Sequence, residues 1–176
     1  MISSTDTKLA YYHSPLGLIT LASDGVALTG LWLEGQKYFA ATLSEKAEVC
    51  DLPVFQETCK WLDLYFSGCE PDFTPLLKPE GTAFRQRVWQ SLLRIPYGKT
   101  ICYKDIAQEI AQERGLKILS AQAVGGAVGH NPISIIIPCH RVVGTNGSLT
   151  GYAGGIDKKI FLLKTEKTDL DKLFIP

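Results

Sequence analysis

The sequence lacks the features that would mark a disulfide-bonded, metal-holding or membrane-spanning protein. Its 176 residues include five cysteines, three histidines and one methionine. The cysteines (Cys50, Cys59, Cys69, Cys102, Cys139) are odd in number and scattered, with no C-x-x-C pair and no paired histidines. That pattern argues against a disulfide framework and against a zinc site, so no metal is expected. No apolar run approaches the roughly 20 residues that cross a bilayer. Met1 to Ala10 shows neither the basic nor the apolar block of a signal peptide. The expectation is a protein of the reducing cytoplasm with no membrane contact. An excess of one charge is missing too: 18 basic residues stand against 18 acidic. Any contact with nucleic acid must therefore use a local basic face and not the global field.

The composition that remains is globular, and the length suits one domain or a domain with a small partner lobe. The N-terminal third reads as sheet. Leu9 to His13 and Leu18 to Ala22 flank a Ser14-Pro15-Leu16-Gly17 turn, and Ser23-Asp24-Gly25 turns the chain into Val26 to Leu33. Tyr38 to Leu43 suggests a helical turn or two, and Glu45 to Asp51 a connector. From Pro53 the period becomes helical through Val54, Phe55, Thr58, Cys59, Leu62, Tyr65 and Phe66, with Gly68 as the stop. Prolines and glycines between Cys69 and Gly81 mark a linker, which predicts an N-terminal lobe over residues 1–80 and a second domain over 81–176.

The second domain opens on Thr82 as an N-cap, followed by an apolar stripe of Phe84, Val88, Trp89, Leu92 and Leu93. Ile95-Pro96-Tyr97-Gly98 ends that helix. Ile106, Ala107, Ile110 and Ala111 form one face of the next. Ser120 then caps a short helix of small residues from Ala121 to Gly129. Glycines there cost roughly 1 kcal/mol each against alanine, and close approach to something flat or bulky is their expected use. Helix, turn and small-residue helix can be read as a DNA-binding pair or as a tightly packed helical hairpin.

The chemistry concentrates after Asn131-Pro132. Ile133 to Ile137 reads as a short strand buried on both faces, and Pro138 ends its pairing. Cys139 and His140 follow at once. A thiol of pKa about 8.5 is mostly protonated at neutral pH, so a nucleophilic Cys139 needs a base or a cation. His140 and Arg141 are the expected sources, and lowering the pKa by about three units would take roughly 4 kcal/mol. Neighbouring side chains on an extended strand point to opposite faces. Either the backbone kinks after Pro138, or a water or third residue carries the proton. Asn146-Gly147 signals a type I′ hairpin, and Gly151-Tyr152-Ala153-Gly154-Gly155 a loop able to wrap a planar ligand. Asp157 is the expected cap of the last helix. Leu173-Phe174-Ile175 carries no assignment.

Pro138-Cys139-His140-Arg141-Val142, with Asn131-Pro132 before it and the 151–155 loop after it, resembles the O6-alkylguanine-DNA alkyltransferase family. The likeness runs almost continuously from Thr82 to Glu166 and includes Phe84-Arg85-Gln86-Arg87-Val88-Trp89 and Ile95-Pro96-Tyr97-Gly98. The resemblance implies an α+β protein, with an RNase H-like antiparallel sheet and helix in the N-terminal lobe. A winged-helix-like C-terminal lobe would carry the helix-turn-helix and the cysteine. It implies a monomer, needing no cofactor, that acts on double-stranded DNA containing O6-alkylguanine, with O4-alkylthymine as a second candidate lesion. The base would be flipped out and its alkyl group transferred once, irreversibly, to Cys139.

By position, His140 would be the base acting through a water, with Glu166 orienting it. Asn131 would tie the turn to its helix, and Tyr103 would assist the departing base. Tyr152, Ala153, Gly154, Lys159 and Val142 would form the guanine site. Gln122, Ala121, Ala123, Gly125 and Arg141 would meet DNA. Two departures stand out: the family's usual inserted arginine is here Gln122, and the segment from Glu113 to Ser120 is longer than usual, with Arg114 or Lys117 as compensating cations. A lesion-binding protein without chemistry is the alternative. Those related proteins carry tryptophan at the position of Cys139. A thiol hydrolase and a DNA-binding regulator are further readings that the cysteine and the missing oxyanion hole disfavour.

Overall fold

The computed structural model describes residues 6–176. The chain divides into two units, one ending at Glu80 and also taking in Pro132–Ser134, the other made of Gly81–Asn131 and Ile135–Pro176.

In the first unit, β1 (Thr7–Ser14) and β2 (Gly17–Ser23) pair antiparallel from Ser14↔Gly17 to Lys8↔Ser23. The Ser14 hydroxyl closes the turn by donating to the Gly17 carbonyl at 2.7 Å and accepting from the Leu16 N–H at 3.1 Å. β3 (Leu28–Leu33) lies antiparallel to β2 with a bulge at Ala22/Ser23, and the sheet order is β3-β2-β1-β4. α1 (Pro53–Phe66) packs on β1 and β2. Pro53 opens it because a first-turn residue has no intrahelical partner for an N–H. Its inward face is Val54, Phe55, Thr58, Trp61, Leu62 and Tyr65, so Cys59 lies beside that stripe, half-buried. Ile19, Leu21, Leu31, Trp32 and Leu33 complete the core from the sheet.

Two local expectations fail here. The segment read as a connector contains β4 (Ala47–Val49), a parallel edge strand beside β1. All three of its residues are exposed, so burial left no alternation to detect. Residues 38–43 form turns and no helix, because Tyr38 and Ala40 sit at φ of +57° and +56°.

The second unit begins with α2 (Ala83–Leu93), whose Thr82 cap accepts the Arg85 N–H. α3 (Tyr103–Glu113) and α4 (Ala121–Gly129) pack with it, and the Ser120 hydroxyl accepts the N–H groups of Gln122 and Ala123. Val88, Trp89, Leu92, Ile106, Ile110, Val124 and Val128 form this core. The indole of Trp89 donates to the Ala127 carbonyl at 2.9 Å. β5 (Ile101–Cys102) and β6 (Val142–Val143) pair in parallel, and α5 (Ile156–Thr165) follows. Gly155, and not Asp157, is the N-cap of α5, and Asp157 lies in its first turn, where a carboxylate favours the helix dipole.

The strand expected over Ile133 to Ile137 is absent. Pro132 and Ser134 each form one backbone hydrogen bond with Leu31, and then Ile135 adopts φ +69° and breaks the extended chain. The type I′ turn expected at Asn146-Gly147 is not formed: Gly147 N–H bonds the Gly144 carbonyl at 2.9 Å, so Thr145 and Asn146 are the centre of the turn, and of the pair Asn146-Gly147 only Gly147 has a positive φ, +89°. Its arms share one further backbone bond, Gly144 N–H on the Ser148 carbonyl at 2.8 Å, and then diverge. β6 pairs with β5, while Gly147 and Leu149 exchange hydrogen bonds with Phe174. The tail thus closes the cluster of Val143, Leu149 and Leu163, with Leu170 and Leu173 packed against it. Among the described residues no helix is long and apolar enough to cross a membrane.

Gly30 is the tightest point of the sheet. A Cβ there would stand 2.0 Å from the ring of Trp32, which is buried two residues on along the same face. Gly30→Ala should lower stability by about 1–3 kcal/mol through overpacking. Urea unfolding followed by tryptophan fluorescence would read it, and an unshifted midpoint would mean that the ring moves aside without strain.

Candidate active site

Pro138 sets the position of the cysteine. Its φ of −82° and ψ of 65° make it the centre of an inverse γ-turn, in which the Cys139 N–H bonds the Ile137 carbonyl at 2.8 Å. The same carbonyl accepts the Asn131 side-chain amide at 2.8 Å. A single 3-10 turn, Cys139–Arg141, follows, closed by Arg141 N–H on the Pro138 carbonyl. This is the kink after Pro138, one of the two arrangements that the adjacency of Cys139 and His140 left open. All three side chains of the turn are buried.

Glu166, at the end of α5, collects the turn's polar groups. His140 Nε2 lies 2.5 Å from one carboxylate oxygen. Arg141 donates to both oxygens, at 2.8 and 3.0 Å, and to the Ile95 carbonyl at 2.6 Å. The Gly98 N–H adds a bond at 3.1 Å, and the Arg141 guanidinium stands 5.7 Å over the Tyr97 ring. A Cβ on Gly98 would meet the Glu166 carbonyl oxygen at 2.8 Å, and its φ is +72°, so glycine is needed twice over. Burial opposes ionisation of Glu166, but His140 and Arg141 outweigh it and hold the carboxyl at about 2.

The thiol behaves otherwise than the sequence suggests. Burial pushes Cys139 up, against Asn131, Lys159 and the N–H groups of the turn. Arg141 is engaged by Glu166, and burial pushes His140 down so that its ring is neutral at pH 7. The resting site is therefore a neutral thiol beside a neutral imidazole, and the lowering expected from imidazole and guanidinium gives way to a rise caused by burial.

A second set of groups surrounds the sulfur. Lys159 is fully buried and donates to the carbonyls of Val142 at 2.6 Å and Thr150 at 3.0 Å. Burial lowers its ammonium to about 8, although Cys139 pulls the other way. Tyr103, at the start of α3, donates to the Thr150 carbonyl at 3.2 Å, and burial raises its phenol to about 12. The Tyr152 hydroxyl is buried with no hydrogen-bond partner among the described residues, and burial and Cys139 raise it further. Tyr152 begins a turn through Ala153 and Gly154, closed by Gly155 N–H on the Tyr152 carbonyl. Among the described residues no group of three or more His, Cys, Asp or Glu is placed to hold a metal ion.

The DNA-facing candidates lie on α4. Gln122 and Ala123 are exposed on its first turn, with Ala121 and Gly125 partly covered. Ala121, Gln122 and Gly125 line an open cleft of about 640 Å³ with Tyr103, Thr150 and Gly151. Arg141 is not among them: it is buried on Glu166. Its assignment as a DNA contact is therefore withdrawn.

Family models for the 6-O-methylguanine DNA methyltransferase match on both halves, the ribonuclease-like domain over residues 8–78 and the DNA binding domain over 83–168. The chain belongs to this family. A methylated-DNA–protein-cysteine methyltransferase of Haemophilus influenzae is 44% identical over 158 residues, 89% of this chain and 84% of the relative. One from Methanosarcina barkeri is 44% identical over 90% of this chain and 96% of its own. The crystal structure of Mycobacterium tuberculosis OGT in complex with DNA superposes with a TM-score of 0.79 at 42% identity, covering 92% of each chain. The mixed α+β fold is thus the family's, a ribonuclease-like N-terminal domain followed by a helical one.

Sequence reasoning did not find Gly98 and Tyr97 as supports of Glu166, nor Thr150 as the carbonyl shared by Lys159 and Tyr103. The Ile95-Pro96-Tyr97-Gly98 run was visible as a helix terminator and as part of the family likeness, with no role in the site attached to it. Nothing in the sequence announces a contact spanning 68 residues.

Acid should dismantle this cluster in order. His140 and Glu166 are both held below their ordinary values of 6.5 and 4.5, so both favour the fold at higher pH. Thermal stability should hold above about pH 6.5, then fall as His140 and next Glu166 take up protons. Glu166→Gln should lose about 3–5 kcal/mol at pH 7 and show a flatter acid limb. Parallel acid limbs for variant and wild type would place the transition elsewhere.

Proposed function

We propose that Cys139 is the atom that receives the alkyl group and that His140, Glu166, Asn131, Tyr103, Tyr152 and Lys159 serve it. The protein is a DNA repair methyltransferase that transfers an alkyl group from O6 of guanine in double-stranded DNA to its own cysteine. In this reading residues 81–176 form the domain for DNA binding and alkyl transfer. The lesion is flipped out of the stack, since the alkyl carbon is out of reach inside the duplex. The observation that carries the assignment is the buried chain from Cys139 through the turn to His140 and Glu166.

The thiol proton passes through a water to His140. Because Nε2 faces Glu166, the accepting nitrogen is Nδ1. The imidazolium so formed is stabilised by a carboxylate that is ionised throughout the neutral range. Lys159, cationic at pH 7, steadies the thiolate from the other side. Sulfur then attacks the alkyl carbon in line, the S–C bond forms as the C–O6 bond breaks, and the electron pair leaves on guanine. Tyr103 keeps its proton to about pH 12 and is the donor for the departing base. Lys159 also joins the Val142 and Thr150 carbonyls, so one ammonium ties the nucleophile's turn to the loop that would hold guanine. Tyr152, Ala153 and Gly154 line that loop, and Gln122 with Ala121, Ala123 and Gly125 faces the duplex. The thioether has no leaving route, so each molecule acts once. All five cysteines are free thiols, which suits a reducing cytoplasm.

Intact-mass measurement after incubation with a duplex carrying one O6-methylguanine tests this directly. A stoichiometric gain of about 14 Da, mapped to Cys139 and absent in Cys139→Ser, is the expected result. Binding of the lesion with no mass change would instead indicate a lesion-binding protein without chemistry.

A further inference from the structure

α3 has two faces of different electrical character. On one, Glu109 and Glu113 are ion-paired with Arg87 and Arg94 of α2. On the other, Lys104, Gln108 and Gln112 border a surface hollow completed by Lys117 and Ile118 of the 114–119 loop. No carboxylate lines that hollow. Arg114 is turned away from it and stands 5.7 Å over the ring of Phe84. Lys104 also lines the cleft that holds Ala121 and Gln122, so the hollow and the cleft adjoin at this lysine and make a strip that carries two lysines and no carboxylate. In a chain of zero net charge, such a strip is a local feature and not a reflection of the whole.

Ile118 stands out from this strip. It is 84% exposed, more than any other large apolar side chain among the described residues. Three residues separate it from Gln122, so the two side chains stem from backbone at most about 14 Å apart. A solvated isoleucine between lysines gains nothing for the fold, since it buries almost no area. It has the form of the apolar wedges that enter between base steps while neighbouring cations take phosphates.

We infer that the 114–119 loop is a second DNA-contact element, in which Lys104 and Lys117 bind phosphates and Ile118 wedges into the duplex beside the flipped nucleotide. This rests on the repair reading and extends it to how the extruded state is held. The wedge fills space that the departing base leaves or strains, and so slows its return to the stack.

The full-length protein is tested on a lesion duplex with 2-aminopurine next to O6-methylguanine. Ile118→Ser should give a smaller fluorescence rise on binding and alkyl transfer slower by about tenfold. Ile118→Leu should behave as wild type, and the same lesion in a single strand should react with the Ser variant at the wild-type rate. Lys104→Ala and Lys117→Ala should each reduce the slope of log binding constant against log salt by about one. Wild-type duplex kinetics in Ile118→Ser, or an equal loss on single strand, overturns the wedge. Unaltered salt slopes overturn the phosphate contacts. Wild-type protein whose Cys139 stays unmodified overturns the repair reading and the wedge with it.

Discussion

The buried carboxylate of Glu166 is the interaction on which the rest of the site depends. It draws together the end of α5, the turn that bears Cys139, and the Tyr97-Gly98 turn after α2. A carboxylate so deeply buried would be strongly disfavoured as an ion if it stood alone. Here a guanidinium, an imidazole nitrogen and a backbone N–H satisfy it. Removing any one partner would strand the charge, which is why such clusters resist partial change. Arg141 neutralises the carboxylate, and His140 can therefore remain uncharged at rest and still meet an anion when it gains a proton.

That division of labour explains the state of the thiol. A permanently ionised Cys139 would react with any electrophile or oxidant that reached it. Burial keeps it protonated, and nothing nearby is strong enough to reverse that in the resting protein. In the proposed reaction, activation requires a proton acceptor that becomes better as reaction proceeds, and a neutral His140 backed by Glu166 fits that role. Lys159 contributes in the same sense, since its charge is worth more to the thiolate than to the thiol. On the proposed reading the site serves one event and not standing reactivity.

Much of this was legible in the residues, and the failures have particular causes. Thr82 and Ser120 were readable as caps because a hydroxyl before an apolar stripe has one favourable use, and both accept the expected N–H groups. Pro53 and the α1 stripe were readable for similar reasons. Cys139 with its flanking residues carried the family likeness, which the comparisons bear out. Ile133 to Ile137 misled, because a β-branched run signals a strand and the signal holds only while φ stays negative. The protonation state of Cys139 misled because sequence gives neighbours but not their partners: Arg141 is next in line, yet its charge is spent on Glu166, 25 residues away. The role of Phe174 was invisible, since a single bridge to a turn leaves no period.

The left-handed Ile135 links fold to function. A β-branched residue there costs about 1–3 kcal/mol, and the chain does not adopt it without return. Pro132 and Ser134 are held by backbone bonds to β3, and Gln36 supports Ser134 through its hydroxyl at 3.0 Å. Asn131 and Cys139 both fasten the Ile137 carbonyl. Only five residues lie between Asn131 and Ile137, and an extended course would carry the Ile137 carbonyl past the reach of the Asn131 side chain. The positive φ turns the chain back within that span. What the strained residue secures is the shared carbonyl of Ile137, through which Asn131 and the Cys139 N–H fix the backbone of the turn that bears the thiol.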